Sequence, residues 1–132
     1  MIKGIEHVAI VARDTAKLRD WYQQMFEFRQ VHDNGKGAYF LMAPDGAMIE
    51  LIGAQTPAEA TGPVADVKTA GIRHLALTVA DEDFAAMVTR LKNAGVTVVS
   101  DVSVSPDGIK IFYFRDPEEN ILHLIFRPKP LG

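Results

Sequence analysis

GIRHLALTV at residues 71–79 has a near copy, GIEHVAIVA, at residues 4–12, and each copy places a histidine fourth. The residues around each histidine are mostly apolar and suited to strands, so a group able to carry charge stands where core is expected. Side chains alternate along a strand, which puts Ile5, His7, Ala9 and Val11 on one face. Both faces of residues 5–11 are apolar apart from Glu6 and His7, as in a strand covered on both sides.

The likeness extends outward from these strands. After the first, Asp14 offers a helix cap, and Leu18, Trp21, Tyr22, Met25 and Phe26 recur at three- and four-residue steps, predicting an amphipathic helix to about Phe26. Residues 31–32, 38–43 and 47–52 then read as short strands joined by turns at 33–37 and 44–46. After the second strand, Asp81 or Asp83 is expected to cap a helix carrying Phe84, Met87, Val88 and Leu91, which Gly95 ends. Strands follow at 96–100, 109–115 and 121–126, with a turn at 116–120. An offset of 67 carries Gly4 to Gly71, His7 to His74 and Asp14 to Asp81, and an offset of 73 carries Pro44 to Pro117 and Leu51 to Leu124. This is an internal duplication of a strand, helix, three-strand unit, and two such units bury their core by pairing. The expected organisation is a single domain over 1–132, with repeat one at 1–53, a Pro-, Gly- and Thr-containing linker at 54–70, and repeat two at 71–128.

Bulk properties narrow the function classes. The 132 residues are 48% hydrophobic and 23% charged, with a formal charge of −3 and no run of Lys or Arg, so neither nucleic acid nor an anionic membrane is an expected partner. There is no cysteine, which excludes disulfides, thiolate nucleophiles and cysteine-rich zinc sites. The start lacks a signal-peptide pattern and no window approaches a membrane span, which makes the cytoplasm the expected location.

The 73 offset also sets His123 opposite Glu50. Each lies mid-strand among apolar neighbours, and a carboxylate in such a place costs several kcal/mol unless it is paired or bound to a metal. His7, Glu50, His74 and His123 thus occupy equivalent positions, two per repeat, and a pseudo-two-fold between repeats would converge them. Imidazole with carboxylate suits Zn, Ni, Fe, Mn or Co rather than Mg or Ca. The alternative is that each histidine is a hydrogen-bonded core residue and Glu50 an ion-pair partner.

With GIEHVAI and GIRHLAL, the helix end Trp21-Tyr22-Gln23-Gln24-Met25 and the D-P-x-x-N-x-x-ligand pattern from Asp116 to His123, the chain resembles the vicinal oxygen chelate superfamily over nearly its whole length. That family includes glyoxalase I, extradiol dioxygenases and bleomycin resistance proteins. Glu27 and Glu119 stand where the family usually has glycine, and His123 where glyoxalase I and the epimerases usually have Glu. The resemblance implies an α+β fold of two βαβββ repeats, forming an open, cup-shaped mixed sheet with helices on its outer face. His7, Glu50, His74 and His123 would hold a divalent metal, with Glu50 and His123 as catalytic candidates and Tyr113 lining the substrate cup. It further implies a small-molecule substrate that chelates through two oxygens, and a homodimer. The leading expectation is a glyoxalase I-like lyase or isomerase acting through a metal-bound enediolate. An extradiol-type iron dioxygenase and a metal-free binding protein are the alternatives.

Overall fold

The computed structural model describes residues 1–56 and 68–132, and within them each repeat forms a strand, a helix and three further strands. Residues 57–67, the greater part of the expected linker, lie outside the described residues. The chain divides into two compact units, Met1–Pro63 and Val64–Gly132.

In unit one, β1 (His7–Ala12) leads to α1 (Thr15–Phe26), then β2 (Arg29–Asp33), β3 (Tyr39–Met42) and β4 (Met48–Gly53). The sheet order is β1-β4-β3-β2, with β1 parallel to β4 and the other pairs antiparallel. The Asp14 carboxylate accepts from the Lys17 amide at 3.0 Å and caps α1. The helix buries Leu18, Tyr22 and Met25, while Leu41, Ile49, Leu51, Ile10 and Ala12 supply the buried face of the sheet. Each large apolar side chain removed from water contributes about 1.5–3 kcal/mol, so this one layer outweighs the modest intrinsic helix propensity of the segment.

Unit two repeats the plan with β5 (His74–Thr78), α2 (Asp81–Asn93), β6 (Val98–Val104), β7 (Lys110–Arg115) and β8 (Ile121–Phe126), in the order β5-β8-β7-β6. Phe84, Val88 and Leu91 are the buried helix residues, and Phe112, Phe114, Leu122 and Leu124 are buried in the strands. The expected aspartate cap is absent. Ala80 is the N-cap without a side-chain bond, and Asp81 instead receives the Lys110 ammonium at 2.6 Å. Asp81, Glu82 and Asp83 all fall in the first turn, where negative charge complements the helix dipole without capping it.

The duplication reaches individual hydrogen bonds. The β3–β4 turn has Ala43 N to Ala47 O at 2.8 Å and Gly46 N to Ala43 O at 2.9 Å, and the β7–β8 turn has Asp116 N to Asn120 O at 2.9 Å and Glu119 N to Asp116 O at 3.0 Å. Gly46 has φ +93°, so its counterpart Glu119, at φ +69°, is a left-handed position filled by a side chain. Glu27, which ends α1, is likewise left-handed at φ +58°. Both departures from glycine noted in the sequence therefore carry real backbone strain.

One expectation for the first strands is not met. Ala9 is exposed and Val11 is 53% exposed, because α1 covers only the Ile10 and Ala12 face of β1. The other face, which carries His7, is open. No helix among the described residues is long and apolar enough to cross a membrane.

Candidate metal centre

Each open sheet face carries one candidate pair. On unit one, β1 and β4 run parallel with Ala9 opposite Glu50, which sets Glu50 beside His7 on the same face. His7 Nε2 lies 3.2 Å from Glu50 Oε2, and His7 Nδ1 donates to the carboxylate of Glu6. The Glu6 hydrogen bond is the main reason that the imidazole is pushed above its ordinary pKa, with the charges of Glu6 and Glu50 adding to it against the opposing effect of burial. Glu50 retains 22% of its side-chain exposure, so the carboxylate expected to be buried is partly hydrated as well as paired.

On unit two, Ala76 opposes His123 on β8, which in turn opposes Tyr113 on β7. The His74 and His123 rings are 4.6 Å apart, and Tyr113 lies 4.6 Å from His123 and 5.7 Å from His74. His123 is only 5% exposed. Burial pushes its pKa below the ordinary imidazole value, His74 and Arg127 add to this, and the Leu124 carbonyl opposes it. A carbonyl can only accept, so the 3.3 Å contact between His123 Nδ1 and Leu124 O places the proton on Nδ1 and leaves the Nε2 lone pair free.

The donor chemistry fits a divalent transition metal. A neutral His123 with its Nδ1–H on a backbone carbonyl, and a His7 whose Nδ1–H is held by a carboxylate, are the two standard ways of presenting Nε2 as a ligand. The structure brings His7 to Glu50 and His74 to His123. Each is a pair within its own unit, and among the described residues no three or more His, Asp or Glu side chains form a group that could hold a metal.

Sequence reasoning missed Glu6. Its only signal is adjacency: β1 begins at His7, so the residue before it is free of the strand's alternation and can turn its carboxylate onto the ring. The equivalent residue in unit two is Arg73, which cannot accept a hydrogen bond. Phe40 is a further lining residue, opposite Glu50 and packed edge-on to His7 at 5.1 Å. The 73 offset pairs it with Tyr113, and that was its legible signal. His32 is exposed and stands in β2 opposite Phe40. Arg115 braces its own turn, donating to the Glu119 carbonyl at 2.8 Å.

A model of the Glyoxalase/Bleomycin resistance protein/Dioxygenase superfamily matches residues 4–124. The chain is similar to the uncharacterized protein YwkD of Bacillus subtilis (strain 168), at 31% identity over 130 residues, covering 94% of this chain and 97% of that protein. Among solved structures, a glyoxalase/dioxygenase from Nostoc punctiforme aligns with a TM-score of 0.80 at 18% identity, covering 96% of this chain and 92% of that one. The fosfomycin resistance protein FosX from Listeria monocytogenes, complexed with Mn(II) and sulfate, aligns with a TM-score of 0.75 at 18% identity over the same shares. At such identities the two structures speak for the fold alone.

Proposed function

We propose for this chain, which belongs to the Glyoxalase/Bleomycin resistance protein/Dioxygenase superfamily, the role of a divalent-metal-dependent lyase or isomerase acting on a small substrate that chelates through two adjacent oxygens. His7, Glu50, His74 and His123 are its ligand set, completed within one chain or across a homodimer. The observation that carries this reading is the 3.2 Å approach of His7 Nε2 to Glu50 Oε2 on an open sheet face, with a second imidazole pair at the duplicated positions.

A metal held by this set would polarise the substrate oxygens and acidify the neighbouring C–H bond. Glu50 is the group able to take that proton, being a partly exposed carboxylate beside His7. Where His123 does not itself ligate the metal, its neutral ring can accept a proton at Nε2, and Tyr113 supplies a wall and a hydroxyl beside it. Glu6 is not itself a base here. It fixes the His7 ring through Nδ1.

Metal analysis of protein purified without chelators, followed by deuterium incorporation into hydroxyacetone in D2O, tests the proposal. Stoichiometric Zn, Ni, Mn, Co or Fe and metal-dependent exchange are expected, and Glu50→Gln should abolish exchange with metal retained. A protein without metal after reconstitution is instead a binding protein, and unchanged exchange in Glu50→Gln removes the carboxylate as base. A second reading, an iron dioxygenase, is favoured by the two imidazoles and one carboxylate of His7, His74 and Glu50. Substrate-dependent oxygen uptake by the iron-loaded protein would select it.

A further inference from the structure

The outermost strand of unit one carries two basic groups that the proposed metal chemistry does not use. In β2, Gln30 opposes Leu41 on the helix-covered face, yet His32, two residues on, opposes Phe40 on the open face. Strict alternation would return His32 to the side of Gln30. The irregularity between Gln30 and His32 adds one residue and turns the imidazole over, which is what a β-bulge does. Arg29 precedes the bulge and opposes Met42, so it too stands on the open face.

Two cross-strand rows result. One runs Ala9, Glu50, Phe40, His32, and the other runs His7, Met48, Met42, Arg29. Each joins a candidate metal ligand, through an apolar floor, to a basic side chain on the edge strand. Phe40 touches rings on both sides, at 5.1 Å to His7 in the other row and 6.0 Å to His32 in its own. With strands about 4.8 Å apart, Glu50 and His32 are separated by about 10 Å at the backbone, which a substrate of five or six chain atoms spans only together with a polar contact at each end. The acceptor that the Arg29 guanidinium finds is the Met42 thioether, at 3.2 Å, and a thioether is a weak acceptor. Among the described residues Arg29 makes no ion pair with a carboxylate. Unit two has a matching irregularity between Val98 and Ser100 and turns Ser100 onto Tyr113, but its edge strand, VVSDVSV, has no base.

We propose that Arg29 and His32 form an anion subsite that holds the acidic end group of a substrate whose other end chelates the metal, so that the preferred substrates are acids at both ends. This rests on the metal-centre reading above and deepens it. Arg29 supplies a planar fork for a carboxylate or a phosphonate, and His32 a single N–H donor, while Phe40 and Met42 exclude water beneath the substrate chain.

The test compares 2-hydroxyglutarate with 2-hydroxyvalerate on Mn(II)-loaded protein by calorimetry. Both chelate through the same hydroxy-carboxylate and have five carbons, and only the first has a distal acid. Wild type should prefer the diacid about tenfold or more, on the scale of a charge-assisted hydrogen bond. Arg29→Gln and His32→Gln should each reduce that preference, and the double variant should abolish it with 2-hydroxyvalerate affinity unchanged. Equal binding of the two acids by wild type, or a preference that survives the double variant, overturns the proposal. If neither acid nor metal binds, the metal-centre reading fails by itself. The subsite is then decided on metal-free protein by titrating inorganic phosphate against the His32 ring resonances. Saturable shifts that vanish in Arg29→Gln support it, and a linear drift in both proteins overturns it.

Discussion

The two units are copies in fold and opposites in electrostatics. Unit one presents an imidazole held between two carboxylates, Glu6 and Glu50, on a face open to water. Unit two presents two imidazoles and a phenol, with His123 buried and its proton turned toward a backbone carbonyl. Glu6 accounts for much of the difference, and in unit two its place is taken by Arg73, which offers no acceptor. A duplicated scaffold thus keeps backbone and register while small substitutions at equivalent positions divide the labour. His7, beside its two carboxylates, is suited to hold a proton, and the buried His123 to stay neutral and offer a lone pair.

The strongest way to break the comparison is to remove one histidine from each side. His7→Ala and His123→Ala should both lower metal affinity by more than about a hundredfold, beyond what loss of an outer-shell partner costs. Their effects on stability should differ. His123→Ala empties a buried position and should cost about 2 kcal/mol in urea unfolding of metal-free protein, whereas His7→Ala should leave the unfolding midpoint nearly unchanged. Equal stability losses would mean that the two sides are not differently buried in solution.

Acid sharpens the contrast. A histidine with a depressed folded pKa binds fewer protons folded than unfolded, so its contribution is present above the unfolded imidazole value of 6.5 and is lost as pH falls below it. His7 has the opposite sign: its raised pKa favours the folded state below 6.5, and the benefit disappears as pH rises through the raised value. Metal-free wild type should therefore lose melting temperature between pH 7 and pH 5, and His123→Gln should flatten that loss. Glu6→Gln should leave the His123 slope in place and reduce the small alkaline loss from unit one, of which Glu50 sustains the rest. A pH dependence between 7 and 5 that His123→Gln leaves unchanged would refute the assignment of His123 as the neutral partner.

The smallest expected effects come from the turns. Glu119→Gly restores at φ +69° the residue that its copy Gly46 uses, and Glu27→Gly does the same at φ +58°. Each should stabilise its unit by about 0.5–1 kcal/mol, the relief of a left-handed side chain less the entropy that glycine brings to the unfolded state. Chemical denaturation checks this, and a destabilised Glu119→Gly would show that its side chain does more for the turn than its backbone costs.

The duplicated GIxHxAx stretches, their 67-residue offset and the helix periodicities were enough to place every element among the described residues to within a few positions. They were enough because apolar period and turn chemistry are local properties that a strand and a helix express differently. The same offsets singled out His7, Glu50, His74 and His123, and the structure pairs them two by two within their units. Charge and direction were not legible. That Glu6 closes on His7, that His123 is buried while Glu50 is partly hydrated, and that a bulge turns His32 beside Phe40 all depend on contacts between segments far apart in sequence, or on one residue inserted against a neighbouring strand. Alternation along a single strand predicts facing only while the ladder is regular. Protonation depends on solvent access and neighbouring charge, which exist only once the chain has packed.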